Sequence, residues 1–221
     1  EFEHPEVSLG IWLDLMLTID LCGAKDELDE LLYNCSTHVL SIYENESGHS
    51  KRRFFNFGKI VGYYGALVNA NKATLESIYN HVRAATNLLL TREEQARAML
   101  KVSRLYLKLP ESQHAITECI SRSSELISMS LKYETVRSNV MVDIFEALNS
   151  YMGGGQNNLF EVKNITGCLG FIEKNLKEGQ FTTEDASAFK ELLTAYLTRS
   201  RKYWAEHSAE PEVQKLLSVS K

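Results

Sequence analysis

Apolar residues recur every three or four positions along most of this chain, and the clearest two runs lie back to back between Leu89 and Ile127. Thr91 and Glu94 have the Thr-x-x-Glu spacing of a capping box, in which the hydroxyl takes an orphan backbone N–H and the glutamate reaches back. Ala98, Met99, Val102, Leu105 and Tyr106 then follow on one helical face. Pro110 suits the first position of the next helix, where its missing N–H is no loss. Beyond it, Ala115, Ile116, Cys119, Ile120, Ser123 and Ile127 line a second face. Neither helix can hide its stripe alone, so an antiparallel pair is expected, with the other helices stacked on it.

The same period organises the remaining segments. Val7–Cys22 is apolar nearly all round, which predicts a helix inside the stack, ended by Gly23. Lys25–Tyr43 carries a face of Leu28, Leu31, Leu32, Cys35, Val39 and Ile42 behind an acidic first turn that complements the helix dipole. A polar loop, Glu44–Ser50, leads to Lys51–Val68. Its period and length favour a helix, although the aromatic content leaves a strand open for the first half. Asn69–Asn71 is a break, and Thr74–Leu90 is a fourth helix. After the central pair come Leu131–Ser150, two short pieces around 158–176, and a last long helix, Glu184–Glu206. About nine helices with short connections predict an all-α fold, a right-handed α-solenoid of stacked hairpins in the HEAT or tetratricopeptide manner. Residues 1–207 read as a single helical-repeat domain and 208–221 as a polar tail. Strict residue repeats, the tetratricopeptide signature included, are absent.

Composition sharpens this. Three prolines and twelve glycines in 221 residues are too few turn signals for an all-β chain. No apolar run is long enough to span a bilayer, so no membrane partner is expected. The net charge of -5 argues against sequence-specific nucleic-acid binding, since phosphate contacts need a positive footprint. Cys22, Cys35, Cys119 and Cys168 form no Cys-x-x-Cys pair, which fits free thiols in a reducing compartment. The acidic start is no secretory signal, and the absence of an initiator Met suggests a fragment. The sequons at Asn34, Asn45 and Asn164 are then chance.

No catalytic pattern is visible. The six histidines lack metal spacing, so no metal is expected. Gly153-Gly154-Gly155 has neither the strand before it nor the Lys-Ser/Thr after it that a phosphate loop needs. The carboxylates gather in first turns of helices, where capping explains them. The chain is therefore expected to be no enzyme and to carry no cofactor. Two clusters mix cations with aromatics. Lys51-Arg52-Arg53-Phe54-Phe55 reads either as a local RNA contact or as a solvated helix start. Arg199, Arg201, Lys202, Tyr203 and Trp204 read either as a protein-docking anchor or as a cap on the stack. Arg52, Phe54, Arg201, Tyr203 and Trp204 are the candidate protein-binding residues.

The order LLLTREEQARAMLKVSRLYLKL, SQHAITECISRSSELI, VRSNVMVDIFEALNS, NNLFEVKNIT and FKELLTAYLTRSRKYWAEH resembles the helical half of PCI-domain proteins. It is most like the family of m subunits of eukaryotic translation initiation factor three. SIYENESGHSKRRFFNFGKIVGYYGALVN is similar to that family's earlier loop and helix. The winged helix that completes a PCI domain has no counterpart here. The resemblance implies a non-catalytic, cytoplasmic scaffold subunit in translation initiation, bound to other subunits of a PCI-containing complex and indirectly to the small ribosomal subunit. The alternatives are a PCI-type subunit of the signalosome or proteasome lid, or a stand-alone peptide-binding repeat.

Overall fold

A computed structural model describes residues 4–23, 26–46 and 50–128, together with Asp143, Glu184, Ser187 and Glu191. The chain divides into two compact units, Glu1–Leu126 and Ile127–Lys221. Helices are α1 (Pro5–Leu21), α2 (Asp26–Glu44), α3 (Ser50–Ala66), α4 (Lys72–Ala85), α5 (Arg92–Leu105) and α6 (Gln113–Ser128). Among the described residues there is no strand, so the aromatic first half of α3 is helical.

The helix ends follow local chemistry. Pro5 sits in the first turn of α1, and Gly23, at φ 97°, turns the chain out of it in a conformation that a side chain would strain. Asn71 caps α4 by accepting from the Thr74 N–H at 2.8 Å. Thr91 and Glu94 form the expected capping box at α5, with Thr91 Oγ1 accepting from the Glu94 N–H at 3.2 Å. Pro110 does not open α6 as expected. It lies in a turn with Glu111 at φ 64°, and α6 begins at Gln113. The Ser112 hydroxyl donates to the Leu109 carbonyl at 2.8 Å and also to the Tyr106 carbonyl, holding that turn. α4 is shorter than its apolar pattern suggested, because Thr86–Leu88 tightens into a 3-10 turn. A second 3-10 turn, Tyr106–Lys108, extends α5.

Neighbouring helices pack as an α-solenoid. α1, α3 and α5 lie side by side in one layer, and α2 and α4 in the other. α6 joins α5 where Ser123 Oγ donates to the Ala96 carbonyl at 3.0 Å. It joins α4 where Arg83 meets Glu118 at 2.6 Å. The core between the layers is aromatic as well as aliphatic. Tyr43, Tyr64, Tyr79, Tyr106 and Phe57 are fully buried with Leu13 and Met16. Buried phenols need partners, and three have them. Tyr64 Oη and Ser36 Oγ share a hydrogen bond at 3.0 Å, Tyr79 donates to the Tyr64 carbonyl at 3.5 Å, and Tyr106 donates to Asn80 Oδ1 at 2.8 Å. The central pair buries the stripes read from the sequence: Met99, Val102 and Leu105 on α5, and Ile116, Cys119 and Ile120 on α6.

α1 departs from expectation. Leu9, Leu13, Met16 and Ile19 are buried, but Val7, Ile11, Leu15 and Leu21 are exposed, Ile11 at 62%. Within the described residues α1 is an outer member of its layer with a covered side and an open one, so an all-round apolar pattern did not place it inside. Leu31 on α2, assigned to that helix's buried face, is likewise exposed.

Candidate interaction faces

The first turns of α3 hold the cation and aromatic cluster. Arg52 Nε lies 2.7 Å from Glu6 on α1 and 3.1 Å from Glu46 in the turn. The Glu46 side chain is 4% exposed, and both its oxygens accept from Asn56 Nδ2, at 2.9 and 3.0 Å. Arg53 donates to the Glu44 carbonyl at 2.9 Å and to the Leu88 carbonyl at 3.3 Å, with its guanidinium 5.6 Å from the Tyr43 ring centroid. Both arginines therefore tie turns together, as planar forks with several donors suit. The Tyr43 hydroxyl, Arg53 Nε and Asn56 Oδ1 are buried nearby without a hydrogen-bond partner, so desolvation is less compensated here than elsewhere in the core.

Helical phase separates the two phenylalanines. Phe57, Ile60, Val61 and Tyr64 define the buried side of α3. Phe54 lies at the edge of that side, half-buried beneath Lys101, whose Nζ is 4.6 Å from its ring centroid. Phe55 points the other way, is 62% exposed, and has Lys59 Nζ 5.0 Å from its centroid. Of the predicted contact residues, Arg52 is a clamp between elements and Phe54 is partly packed. Phe55, not among them, is the aromatic the surface presents. The signal was available: at 100° per residue Phe55 falls opposite Phe57 and Tyr64. Arg201, Tyr203 and Trp204 lie outside the described residues.

A third polar centre binds the first two hairpins. Asp20, 4% exposed at the end of α1, accepts from the backbone N–H groups of Val68 at 2.8 Å and of Asn69 and Ala70 at 2.9 Å. Asp29 on α2 accepts from the Asn71 N–H at 3.1 Å and its Nδ2 at 2.8 Å. These carboxylates serve the chain entering α4, so their oxygens accept within the fold. His38, exposed on α2, stacks on Trp12 of α1 with ring centroids 4.7 Å apart.

Cys35 and Cys119 are buried free thiols, and Cys22 is exposed. Burial pushes Cys119 up to about 12, against a smaller opposing pull from Arg83, and burial also raises Cys35. Neither is a poised nucleophile. Among the described residues no group of three or more His, Cys, Asp or Glu is placed to hold a metal ion. No described helix is long and apolar enough to cross a membrane.

Stacked hairpins, with polar groups spent on holding turns together and side chains left over on outer helix faces, define a helical-repeat protein. The family model for vacuolar protein sorting-associated protein 35 (Vps35) matches residues 2–175, and the chain belongs to the Vps35 family. A comparison with curated proteins gives no match. The PCI-domain and initiation-factor resemblance is thereby overturned, and with it the translation, PCI-complex and ribosomal partners it implied. The segments that carried it are apolar stripes at three- and four-residue spacing. Any stacked hairpin needs such stripes, so they report the architecture and not the lineage.

Proposed function

We propose that the chain is a non-catalytic scaffold subunit of a vacuolar protein sorting assembly, the retromer, and holds other subunits of that complex along its helix faces. The observation that carries the proposal is the family match over residues 2–175, laid on stacked hairpins. The buried, raised thiols and the use of Asp20, Asp29, Glu46 and Arg53 as ties between elements support a mechanism without chemistry. Such a scaffold acts by rigidity: side chains on adjacent helices keep fixed spacing, so a partner meets a preorganised surface and loses less freedom on binding.

The test is affinity capture of the tagged full chain from eukaryotic extract, with mass spectrometry of what is retained. Vacuolar sorting subunits in stoichiometric amount are expected. Initiation-factor, signalosome or proteasome-lid subunits in their place, or no stable partner, would refute the proposal.

A further inference from the structure

Cations concentrate on two neighbouring helices, α3 and α5, whereas α1, beside α3 in the same layer, has Glu6, Asp14 and Asp20 and no lysine or arginine. α3 contains Lys51, Arg52, Arg53 and Lys59 and no acidic residue. α5 and its 3-10 extension add five cations against Glu93 and Glu94. In the opposite layer, α2 has five carboxylates and no lysine or arginine. A basic face of this kind stands out in a chain whose net charge is -5. On the outer side of α3, Lys51, Phe55 and Lys59 are exposed in one stripe about 12 Å long. Arg104 is exposed on the neighbouring α5. Lys51, Lys59 and Arg104 pair with no carboxylate among the described residues.

The space between these helices is filled. Lys101 lies over Phe54, with its Nζ 3.2 Å from where a Cβ on Gly58 would stand. No slot remains there for the backbone of an incoming helix or strand. Exposed cations on flexible stems around one projecting aromatic match a charged surface without fixed shape better than a peptide segment.

We propose that the α3–α5 face is a docking site for an anionic phospholipid bilayer surface, with Lys51, Lys59 and Arg104 facing the headgroups and Phe55 entering the interface. This replaces the expectation of no membrane partner and deepens the sorting role. The two fail separately, because subunit capture needs no lipid. α2, with its five carboxylates, lies in the other layer.

The test is flotation of the purified full chain with vesicles of phosphatidylcholine, with and without phosphatidylserine. Binding is expected only with phosphatidylserine. It should be abolished near 1 M salt, where the screening length is about 3 Å. Lys51→Gln, Lys59→Gln and Arg104→Gln should each weaken it about fivefold, and Phe55→Ser should weaken it further. All four sites are exposed, so melting curves should not move, and Glu30→Gln, exposed on α2 in the other layer, should leave binding within about twofold. Absence of phosphatidylserine-dependent binding, or binding unaffected by the triple Gln variant, would overturn the proposal. So would capture of poly-glutamate or a short RNA by this face while vesicles are ignored.

Discussion

Asp20→Ala should be among the most damaging single substitutions in the described part of the chain. The Asp20 carboxylate is 4% exposed and accepts three backbone N–H groups, from Val68, Asn69 and Ala70, at 2.8–2.9 Å. It also stands just before α4, whose N-terminal dipole favours negative charge. Removing it orphans three part-buried donors that have no other partner in the fold. Hydrogen bonds to a charged group contribute about 1.5–3 kcal/mol each, and an unmet buried donor costs about 1–3 kcal/mol. Water can reach part of a surface turn, so the full sum is an upper bound and about 3–5 kcal/mol is expected. For a chain of this size that lowers Tm by roughly 10 °C.

Circular dichroism melts should show the largest loss relative to wild type for Asp20→Ala and a smaller one for Asp20→Asn, in which one acceptor oxygen remains. Asp14→Asn, which alters an exposed acceptor of the Tyr63 hydroxyl at 2.9 Å, is the control and should change stability by less than about 0.5 kcal/mol. Hydrogen exchange adds a local readout: the amides of residues 68–70 should lose protection in Asp20→Ala before those of α5 do. Asp20→Ala melting within about 2 °C of wild type, with those amides still protected, would refute the assignment of Asp20 as the tie between the first two hairpins.

Leu105→Ala and Ile120→Ala each remove a buried side chain from the α5–α6 pair and should cost about 2–5 kcal/mol in denaturant unfolding. Tyr79 is raised by burial from 10.0 to about 12, and burial raises Tyr43, Tyr64 and Tyr106 as well. The folded state thus holds phenolic protons that the unfolded state releases. Stability is fully present below pH 10, falls as pH rises toward 12, and phenolate absorbance should appear together with unfolding. A separate phenolate rise in the folded state at pH 10, amounting to these four residues, would contradict their burial. Thiol labelling under native conditions should modify Cys22 before Cys35 or Cys119, and Cys119 should react only at the rate of unfolding.

Much of this fold was legible because its signals are local. The Thr91–Glu94 box, the Gly23 exit and the stripes of α5 and α6 depend on residues within a turn or two of each other, so spacing alone located them. The interaction faces were legible only in part. Arg52 and Arg53 were marked as surface cations, yet their partners are Glu6, Glu46 and the Leu88 carbonyl, brought near by packing across three helices. Phe55 was readable from helical phase once the buried side of α3 was known, but a chain with Phe54 beside it offers both until a neighbouring helix chooses.

Periodicity and capping, which act over one helical turn, determined that the described segments are helices and which stripes seek burial. Only the tertiary structure decided that α1 leaves Val7 and Ile11 open, that Asp20 reaches the chain before α4, and that the cation-rich helices α3 and α5 lie side by side. The reason is physical. An apolar stripe lowers its free energy against any partner of suitable width, so its pattern carries the demand for burial and not the identity of what buries it. Directional hydrogen bonds and charge pairs between distant residues supply that identity, and they exist only once the helices are stacked.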